Sequence, residues 1–280
     1  MAAPAPTLDE IRAEIDRIDQ AIHDLLMRRV EIVRGIGSLK TGSTPKWRPA
    51  REAALLRRLA ARHQGEMPVG VLARIWREMI IGGSLALQEA VSVAVVADGA
   101  DGGCWDLARD HFGAVVPLQA NPSPSQVVRE VTRGKATIGV LPAPADGEDE
   151  PWWPLLMRRT PTSPRIVAKL PFVGGSNGRS VGEALAIARV AFEPSGGDHS
   201  LIVVEAAPEL SRASLMAAIR KADLHARWLA RHETEDRPAH LLEVDGFVGE
   251  ADARLAMLRE HASLQGVVPI GGYALPLSKS

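Results

Sequence analysis

This 280-residue chain contains one cysteine and one tyrosine, and it carries almost no net charge. The single cysteine, Cys104, cannot form an internal disulfide or a thiolate metal site alone, and a lone thiol fits a reducing compartment. The 33 basic and 34 acidic residues leave a formal net charge of -1, which gives no reason to expect a nucleic acid partner. No apolar run approaches the length of a membrane span, and the first residues lack the order of a secretory signal. We therefore expect a cytoplasmic, globular protein that binds neither nucleic acid nor membrane.

A long amphipathic helix is the strongest pattern that the chain does contain. Thr7 and Glu10 form a capping-box pattern at its start. Apolar residues then recur at spacings of four and three: Ile11, Ile15, Ile18, Ile22, Leu25, Ile32, Ile36 and Leu39. A helix of this length spans roughly 50 Å, whereas a domain of about ninety residues should be nearer 30 Å across. We therefore expect a partner chain to cover part of the helix.

Arg29 occupies a position of this stripe at which the period requires an apolar residue. Burying a guanidinium without an anion is costly, so its partner is either a carboxylate of a neighbouring helix or an anionic ligand. Lys40 lies on the same face, roughly 16 Å further along, so that two long side chains could close around one small dianion. Arg12 lies about 25 Å from Arg29 and on another side, so it could reach that ligand only from a second chain. Charge and length together predict an intertwined dimer.

Two shorter helices follow, from Arg51 to Arg62 and from Pro68 to about Ala90. Gly82 and Gly83 interrupt the last helix, and two helical glycines suggest the close approach of another backbone or of a ligand. Ser84 and Gln88 follow, four residues apart on one face.

From Val91 the pattern changes to alternating strands and helices, which predicts an α/β layer with parallel pairing. Strands are predicted at 92–98, 113–118, 136–141 and 165–173, with helices at 104–112 and 123–133. The glycine-rich run at 174–178 is a weak candidate for a phosphate cradle and is better explained as a turn. From His199 the order becomes βαββαβ, that of a ferredoxin-like fold, whose exposed edge or face commonly needs a second copy. We predict a multidomain chain: all-α at 7–90, α/β at 91–197 and α+β ferredoxin-like at 198–280.

Three blocks of the first ninety residues resemble the all-helical chorismate mutase domain found at the N-terminus of many bifunctional enzymes of phenylalanine synthesis. They read IRAEIDRIDQAIHDLLMRRVEIVRGIGSLK, RPAREAALLRRL and IWREMIIGGSLALQ, and the resemblance spans residues 8 to 90. It implies a homodimer that binds chorismate through seven residues: Arg12 from the second chain, Arg29, Lys40, Arg51, Glu52, Ser84 and Gln88. Arg48 departs from the family pattern, because some members have an aspartate there.

The roles that the resemblance implies suit the residue types. Arg29 and Lys40 would bind the substrate carboxylate and ether oxygen, and Glu52 would accept a hydrogen bond from the ring hydroxyl. Conversion of chorismate to prephenate is pericyclic, so it requires no nucleophile, proton shuttle, metal or cofactor. Catalysis then consists of holding the folded dianion and donating hydrogen bonds to the ether oxygen, from Lys40 and Gln88, where charge develops. Because an amide does not titrate, we expect activity that is flat across neutral pH.

The rest of the chain resembles, less faithfully, a prephenate dehydratase followed by a regulatory ACT domain. VAVVADGADGGCWDLARDHFG resembles the opening lobe of the dehydratase, and AHLLEVDGFVGEADARL resembles the second half of the ACT domain. The family's Thr-Arg-Phe triplet, whose threonine is catalytic, is replaced by Ala188, Arg189 and Val190, so we expect dehydratase activity to be absent. The ligand motifs of the ACT domain are also altered, at Arg212 to Leu215 and at 233–238. This favours a structural or dimerising role over binding of an aromatic amino acid effector.

Three other functions are compatible with the pattern. An isochorismate pyruvate-lyase shares the helical site, and a bifunctional mutase and dehydratase would retain both activities. A non-catalytic amino-acid sensor would use only the ACT-like part. The complete polar set of the helical region argues against the sensor, because a domain without a ligand has no use for a costly buried cation.

Overall fold

The computed structural model describes residues 5–39, 47–88, 90–97, 103–158, 160, 163–174, 182–233 and 237–277, with the side chains of 36–39 left aside. Its N-terminal region is all-helical, as expected. The helices are α1 (Leu8–Leu39), α2 (Pro49–Arg62) and α3 (Val69–Ile80), and α3 continues into a π-helical turn at Ile81–Leu85. The capping box is confirmed: the Thr7 backbone N–H and hydroxyl donate to Glu10 Oε2 at 2.7 and 2.8 Å, and the Glu10 N–H donates back to Thr7 Oγ1 at 3.3 Å.

The apolar stripe of α1 is uncovered in the single chain. Its large members are between 44% and 66% exposed: Ile11, Ile15, Ile18, Ile22, Leu25 and Ile32. An apolar row of this length is unfavourable in water, so the helix still lacks the packing partner that its sequence predicts.

The end of α3 differs from the predicted continuous helix, because the regular turns stop at Ile80 and a wider turn follows. Gly82 lies against the loop after the next helix, where an added Cβ would come within 2.7 Å of Val115 Cγ2. A close approach is therefore present at Gly82, although it is made by a side chain. Gly83 has no such neighbour, since its nearest atom would be the Glu78 carbonyl oxygen at 3.9 Å.

A nine-stranded mixed sheet forms the remainder of the structure, in the order β2-β1-β3-β5-β4-β9-β6-β8-β7. The strands are β1 (Val93–Val96), β2 (Leu118–Asn121), β3 (Ile138–Pro142), β4 (Arg165–Leu170), β5 (Ala184–Ala188), β6 (Asp198–Ala206), β7 (Ala226–His232), β8 (Ala239–Asp245) and β9 (Leu264–Ala274). The helices are α4 (Gly103–Phe112), α5 (Pro124–Thr132), α6 (Arg212–Lys221) and α7 (Ala253–Arg259), with a short 3₁₀ turn at Trp153–Met157.

The first half of the sheet corrects two predictions. Parallel pairing is right for β1 with β2 and β3, but β5, which was not predicted, pairs antiparallel with both β3 and β4. The strand predicted at 113–118 is wrong, because the chain turns there and β2 begins only at Leu118. Gly113 takes a left-handed φ of 88° and Val115 is 71% exposed, so this segment serves as a turn.

The second half has the predicted βαββαβ order, and its strand order β9-β6-β8-β7 is that of a ferredoxin-like fold. The sheet continues across the predicted boundary at residue 197 through the pairing of Ile166 in β4 with Gly271 in β9, and an isolated bridge joins Val173 to Leu277 just beyond these strands. Both halves also share a buried core that includes Trp152, Trp153 and Leu241. The ranges 91–197 and 198–280 thus pack as one unit, and the division between them stays a prediction.

Helix α2 is fastened to this sheet by an arginine. Arg57 donates from Nη1 to the Ser195 carbonyl and hydroxyl at 3.0 and 2.9 Å, and from Nη2 to the carbonyls of Gly197 and Leu275 at 2.6 and 2.9 Å. The helical region therefore sits on the strand ends beside β6 and β9. In the part of the chain that the structure describes, no helix combines the length and apolarity that a membrane crossing requires.

Candidate active site

A cavity of about 240 Å³ lies between α1, α2 and the turn that ends α3. Five of the seven predicted substrate-binding residues line it: Arg29, Arg51, Glu52, Ser84 and Gln88. Arg12 is not among them, since it is exposed near the start of α1 and forms an ion pair with Asp9 at 3.5 Å. Lys40 falls outside the described residues.

Arg29 is half-buried and forms part of the wall of this cavity. Its Nη1 donates to Ser84 Oγ at 2.6 Å and, more weakly, to the Met79 carbonyl at 3.4 Å. Burial lowers the pKa of the Arg29 guanidinium below its ordinary value. Its hydrogen-bond partners in the described part of the chain are thus neutral oxygens, so the carboxylate from a neighbouring helix, one of two partners that the sequence suggests, is absent there.

The π-helical turn sets the positions of Ser84 and Gln88. The Ser84 hydroxyl donates to the carbonyl of Met79, five residues earlier, at 3.0 Å, which leaves its oxygen to accept from Arg29. Gln88 Nε2 donates to the Ser84 carbonyl at 3.1 Å. The wider turn therefore places the amide, the hydroxyl and the guanidinium at one wall of the cavity.

Glu52 is only 7% exposed, and its Oε1 has no hydrogen-bond partner among the described residues. The nearest cation is Arg77, with Nη2 at 3.7 Å, which is an ion pair but too long for a hydrogen bond. Trp47 lines the same cavity, is 3% exposed, and its indole N–H also lacks a partner within the described chain. Unsatisfied buried polar atoms are costly, so this acceptor and this donor are unusual features of the cavity wall.

Trp47, Arg77 and their burial were not predicted from the sequence. Trp47 directly precedes the arginine-rich block of α2, and this proximity is the one signal that could have identified it. Arg77 looks like a solvated helix charge, because its acidic partner lies 25 positions away in the sequence.

Arg48, the departure from the family pattern, faces the sheet. Its Nε and Nη2 donate to Glu193 Oε2 at 3.1 and 3.0 Å. Arg48 therefore helps to hold the start of α2 against the segment that follows β5, and it stands at the edge of the cavity.

A second, larger cavity of about 510 Å³ lies between α3 and α4. Its walls are mostly apolar, with Val71, Ile75 and Phe172 among them, and none of the predicted residues lines it. Size alone favours this cavity, and Arg74 and Arg77 also line it. Both arginines are already engaged by the protein, because Arg74 pairs with Asp110 and Arg77 contacts Glu52 and His111. The smaller cavity combines two arginines, an amide, a hydroxyl and a carboxylate, which suits a small dicarboxylate that carries a hydroxyl group.

Comparison with known proteins points to the same helical region. Residues 11–89 match the family model of chorismate mutase type II. The bifunctional chorismate mutase/prephenate dehydratase of Stutzerimonas stutzeri is 32% identical over 145 residues, covering 49% of this chain and 39% of that protein. The enzyme of the same name from Neisseria gonorrhoeae is 33% identical over 141 residues, covering 49% of this chain and 38% of the relative. The matches therefore span about two fifths of the length of these relatives.

Solved structures resemble the chain more distantly. The prephenate dehydratase of Streptococcus mutans has a TM-score of 0.48 at 8% identity, covering 66% of this chain and 99% of that one. The prephenate dehydratase of Arthrobacter aurescens, solved in complex with L-Phe, has a TM-score of 0.47 at 12% identity, covering 67% of this chain and 93% of that one.

The helical bundle, the polar cavity within it and the family match coincide on the same residues. The N-terminal region of this chain, residues 11–89, belongs to the type II chorismate mutase family.

Proposed function

We propose that the chain is a chorismate mutase that converts chorismate to prephenate in aromatic amino acid biosynthesis. The observation that carries the proposal is the convergence of Arg29, Arg51, Glu52, Ser84 and Gln88 on one cavity. These residues come from three separate helical segments, and a common cavity is unexpected for ordinary surface charges.

The mechanism follows from the donors. Arg29 and Arg51 bind the substrate carboxylates, because a guanidinium fork matches a carboxylate. Gln88, together with Lys40, donates to the ether oxygen, where negative charge grows as the C–O bond breaks. Glu52 accepts a hydrogen bond from the ring hydroxyl and so fixes the orientation of the ring. The enzyme thereby holds the folded conformer that rearranges, with no covalent intermediate.

A second copy of the chain completes the proposed site. The exposed stripe of α1 supports a homodimer in which the stripe is buried and Arg12 of one copy reaches the cavity of the other. We also propose a cytoplasmic location, which rests on the lone Cys104 and on the biosynthetic role.

For the sheet region we propose that dehydratase activity is lost. Ala188, at the place of the catalytic threonine of the family, is a buried residue at the end of β5 and carries no hydroxyl. The bifunctional alternative predicts phenylpyruvate from prephenate, and its formation by the purified protein would contradict the loss.

The ferredoxin-like half has, in our proposal, a structural role. Arg212 stacks on Trp228, with Cζ 4.0 Å from the ring centroid, and Leu215 is fully buried, so the altered ligand motif is used in packing. Calorimetric titration with phenylalanine, tyrosine and tryptophan tests this role. Saturable binding of any of the three would instead establish an amino acid effector.

The central experiment follows chorismate loss and prephenate appearance with the purified full chain. We expect turnover with chorismate and no pyruvate release from isochorismate. Pyruvate from isochorismate without prephenate from chorismate would make the protein a lyase. Inactivity towards both substrates would overturn the enzymatic proposal.

A further inference from the structure

A chain of three buried polar side chains leads away from the cavity. It consists of Glu52 in α2, Arg77 in α3 and His111 in α4, which are 7%, 7% and 5% exposed. Arg77 Nη2 lies 3.7 Å from Glu52 Oε1, and Arg77 Nη1 makes a short hydrogen bond to His111 Nδ1. His111 lies outside the residues 11–89 that match the mutase family.

The chemistry of the arginine fixes the state of the histidine. A guanidinium has donors only, so Nδ1 of His111 must accept and the ring is neutral, with its proton on Nε2. Burial, together with the charge of Arg77, holds the pKa of His111 well below its ordinary value. The ring of Phe172 lies 5.3 Å from Arg77 Cζ and packs against the guanidinium. The arginine is thus held from α4 and from the segment that follows β4, while its charge lies beside Glu52.

Glu52 depends on this cation. Burying a carboxylate without a nearby positive charge costs free energy, and the ion pair with Arg77 offsets part of that cost. Arg51, the residue directly before Glu52, is exposed, which leaves Arg77 as the buried cation that an ion pair joins to Glu52 in the described structure.

We propose that Arg77 is a positioning residue of the mutase site: it holds the side chain of Glu52 in place at the cavity wall, and His111 of the α/β region holds Arg77 in place. The inference rests on the proposed function and extends it, since a part of the site is then supplied from beyond the mutase domain.

The kinetic test compares Arg77→Met with Arg74→Met in the full chain. Arg74 is a matched control, because it lies one turn earlier in α3 and pairs with Asp110, the neighbour of His111, at 3.2 Å. Misplacing Glu52 removes one hydrogen bond to the substrate, so we expect kcat/KM to fall about tenfold in Arg77→Met, mainly through KM, and to change little in Arg74→Met. In a Glu52→Gln background, Arg77→Met should add little. Equal losses in both backgrounds would show that Arg77 does not act through Glu52.

A pair of substitutions at His111 tests the second link and covers the case in which Arg77→Met fails to fold. His111→Asn keeps an acceptor near the position of Nδ1, whereas His111→Leu removes it. We expect His111→Asn to retain most of the wild-type kcat/KM and His111→Leu to lose part of it. Identical values for the two variants would contradict the role of the histidine.

A spectroscopic readout separates this inference from the proposed function. In ¹⁵N NMR of the full chain, His111 should show an unprotonated Nδ1 and a protonated Nε2 at neutral pH, and Arg77→Lys should alter the Nδ1 shift. A protonated Nδ1 would overturn the inference even if the protein is an active mutase. An inactive protein with the expected tautomer would refute the proposed function and leave the arginine–histidine contact intact.

Discussion

At the scale of single residues, the site depends on polar groups placed where a helical bundle usually has apolar ones. The Ser84 hydroxyl meets Arg29 and the Met79 carbonyl, so the guanidinium is held by neutral acceptors and keeps its full charge for a ligand. Glu52 and Trp47 keep unsatisfied atoms at the same cavity.

Gln88→Ala should lower kcat for the mutase reaction by about 10²- to 10³-fold, the usual cost of losing one donor to a developing oxyanion. The comparison variant is Gln119→Ala, since Gln119 is an exposed glutamine on β2. Steady-state measurement of chorismate loss checks the prediction. Near-normal turnover in Gln88→Ala would refute the role of the amide.

His111 should make folding stability depend on pH. Its pKa in the folded protein lies well below the ordinary value of 6.5, because of burial and Arg77, so the unfolded chain takes up a proton first as the pH falls. The free energy of unfolding should therefore decrease below pH 6.5, by at most about 1.4 kcal/mol per pH unit from this group. Urea titrations at several pH values check this slope.

The matched variant is His111→Asn, which should lose that part of the slope. Burial also lowers the pKa of His240, which contributes to the pH dependence of stability in both proteins. The difference in slope between the wild type and the variant therefore isolates His111. An unchanged slope in the variant would mean that His111 does not remain neutral.

The sequence was informative about residues that follow a local rule. Arg29 breaks a regular apolar stripe, so it could be selected from the residues alone, whereas Ser84 and Gln88 were selected through the resemblance to the mutase family. Arg77 and His111 could not be selected in this way. The ion pair joins Arg77 to Glu52, 25 residues earlier, and the hydrogen bond joins Arg77 to His111, 34 residues later. Such contacts depend on how α3 packs on α4, which no local pattern reports.

At the scale of elements, α2 connects the cavity to the sheet. One side of the helix carries Arg51 and Glu52 at the cavity, and Arg48 and Arg57 bind the segment between β5 and β6. The position of the site residues on α2 is therefore set by the sheet as well as by α1 and α3.

Arg57→Ala should destabilise the protein by about 2 kcal/mol, because three carbonyls and a hydroxyl lose a charged donor, with water replacing part of the loss at this half-buried site. Arg58→Ala serves as the control, since Arg58 is the next residue and is exposed. Denaturant unfolding of the two variants measures the difference. Equal stabilities would show that the hydrogen bonds of Arg57 contribute nothing to the stability of the fold.

Element prediction failed where pairing overrode local preference. The segment of β5 reads ALAIA, which suits a helix as well as a strand, and its strand state comes from pairing with β3 and β4 on both sides. The turn before β2 contains valines, which favour strands, but Gly113 in a left-handed conformation redirects the chain there. The long helix α1 and the βαββαβ order were predictable because their patterns are periodic over many residues.

At the scale of the whole molecule, the exposed stripe of α1 supports the proposed homodimer. An apolar row of six residues that are each at least 44% exposed should be buried by a second copy.

Ile18→Glu should therefore convert the dimer to a monomer and abolish mutase activity, because a carboxylate in the middle of the apolar contact would be buried without a partner. Ala13→Glu adds the same charge to the opposite face of α1 and should leave both properties unchanged. Sedimentation and turnover measured on the same samples check the prediction. A monomeric wild-type protein with full activity would exclude the shared site.

The bridge between β4 and β9 has a consequence for the cavity. Gly271 has a φ of 125°, and an added Cβ would come within 2.1 Å of the Ile166 carbonyl oxygen, so any larger residue must push the two strands apart. Residue 275 lies just beyond the end of β9, and its carbonyl is one of those that hold Arg57. A methyl group introduced at Gly271 would displace β9, and this displacement would reach α2 through Arg57. The position of Glu52 in the candidate site would then change in response to a substitution near the C-terminal end of the described chain.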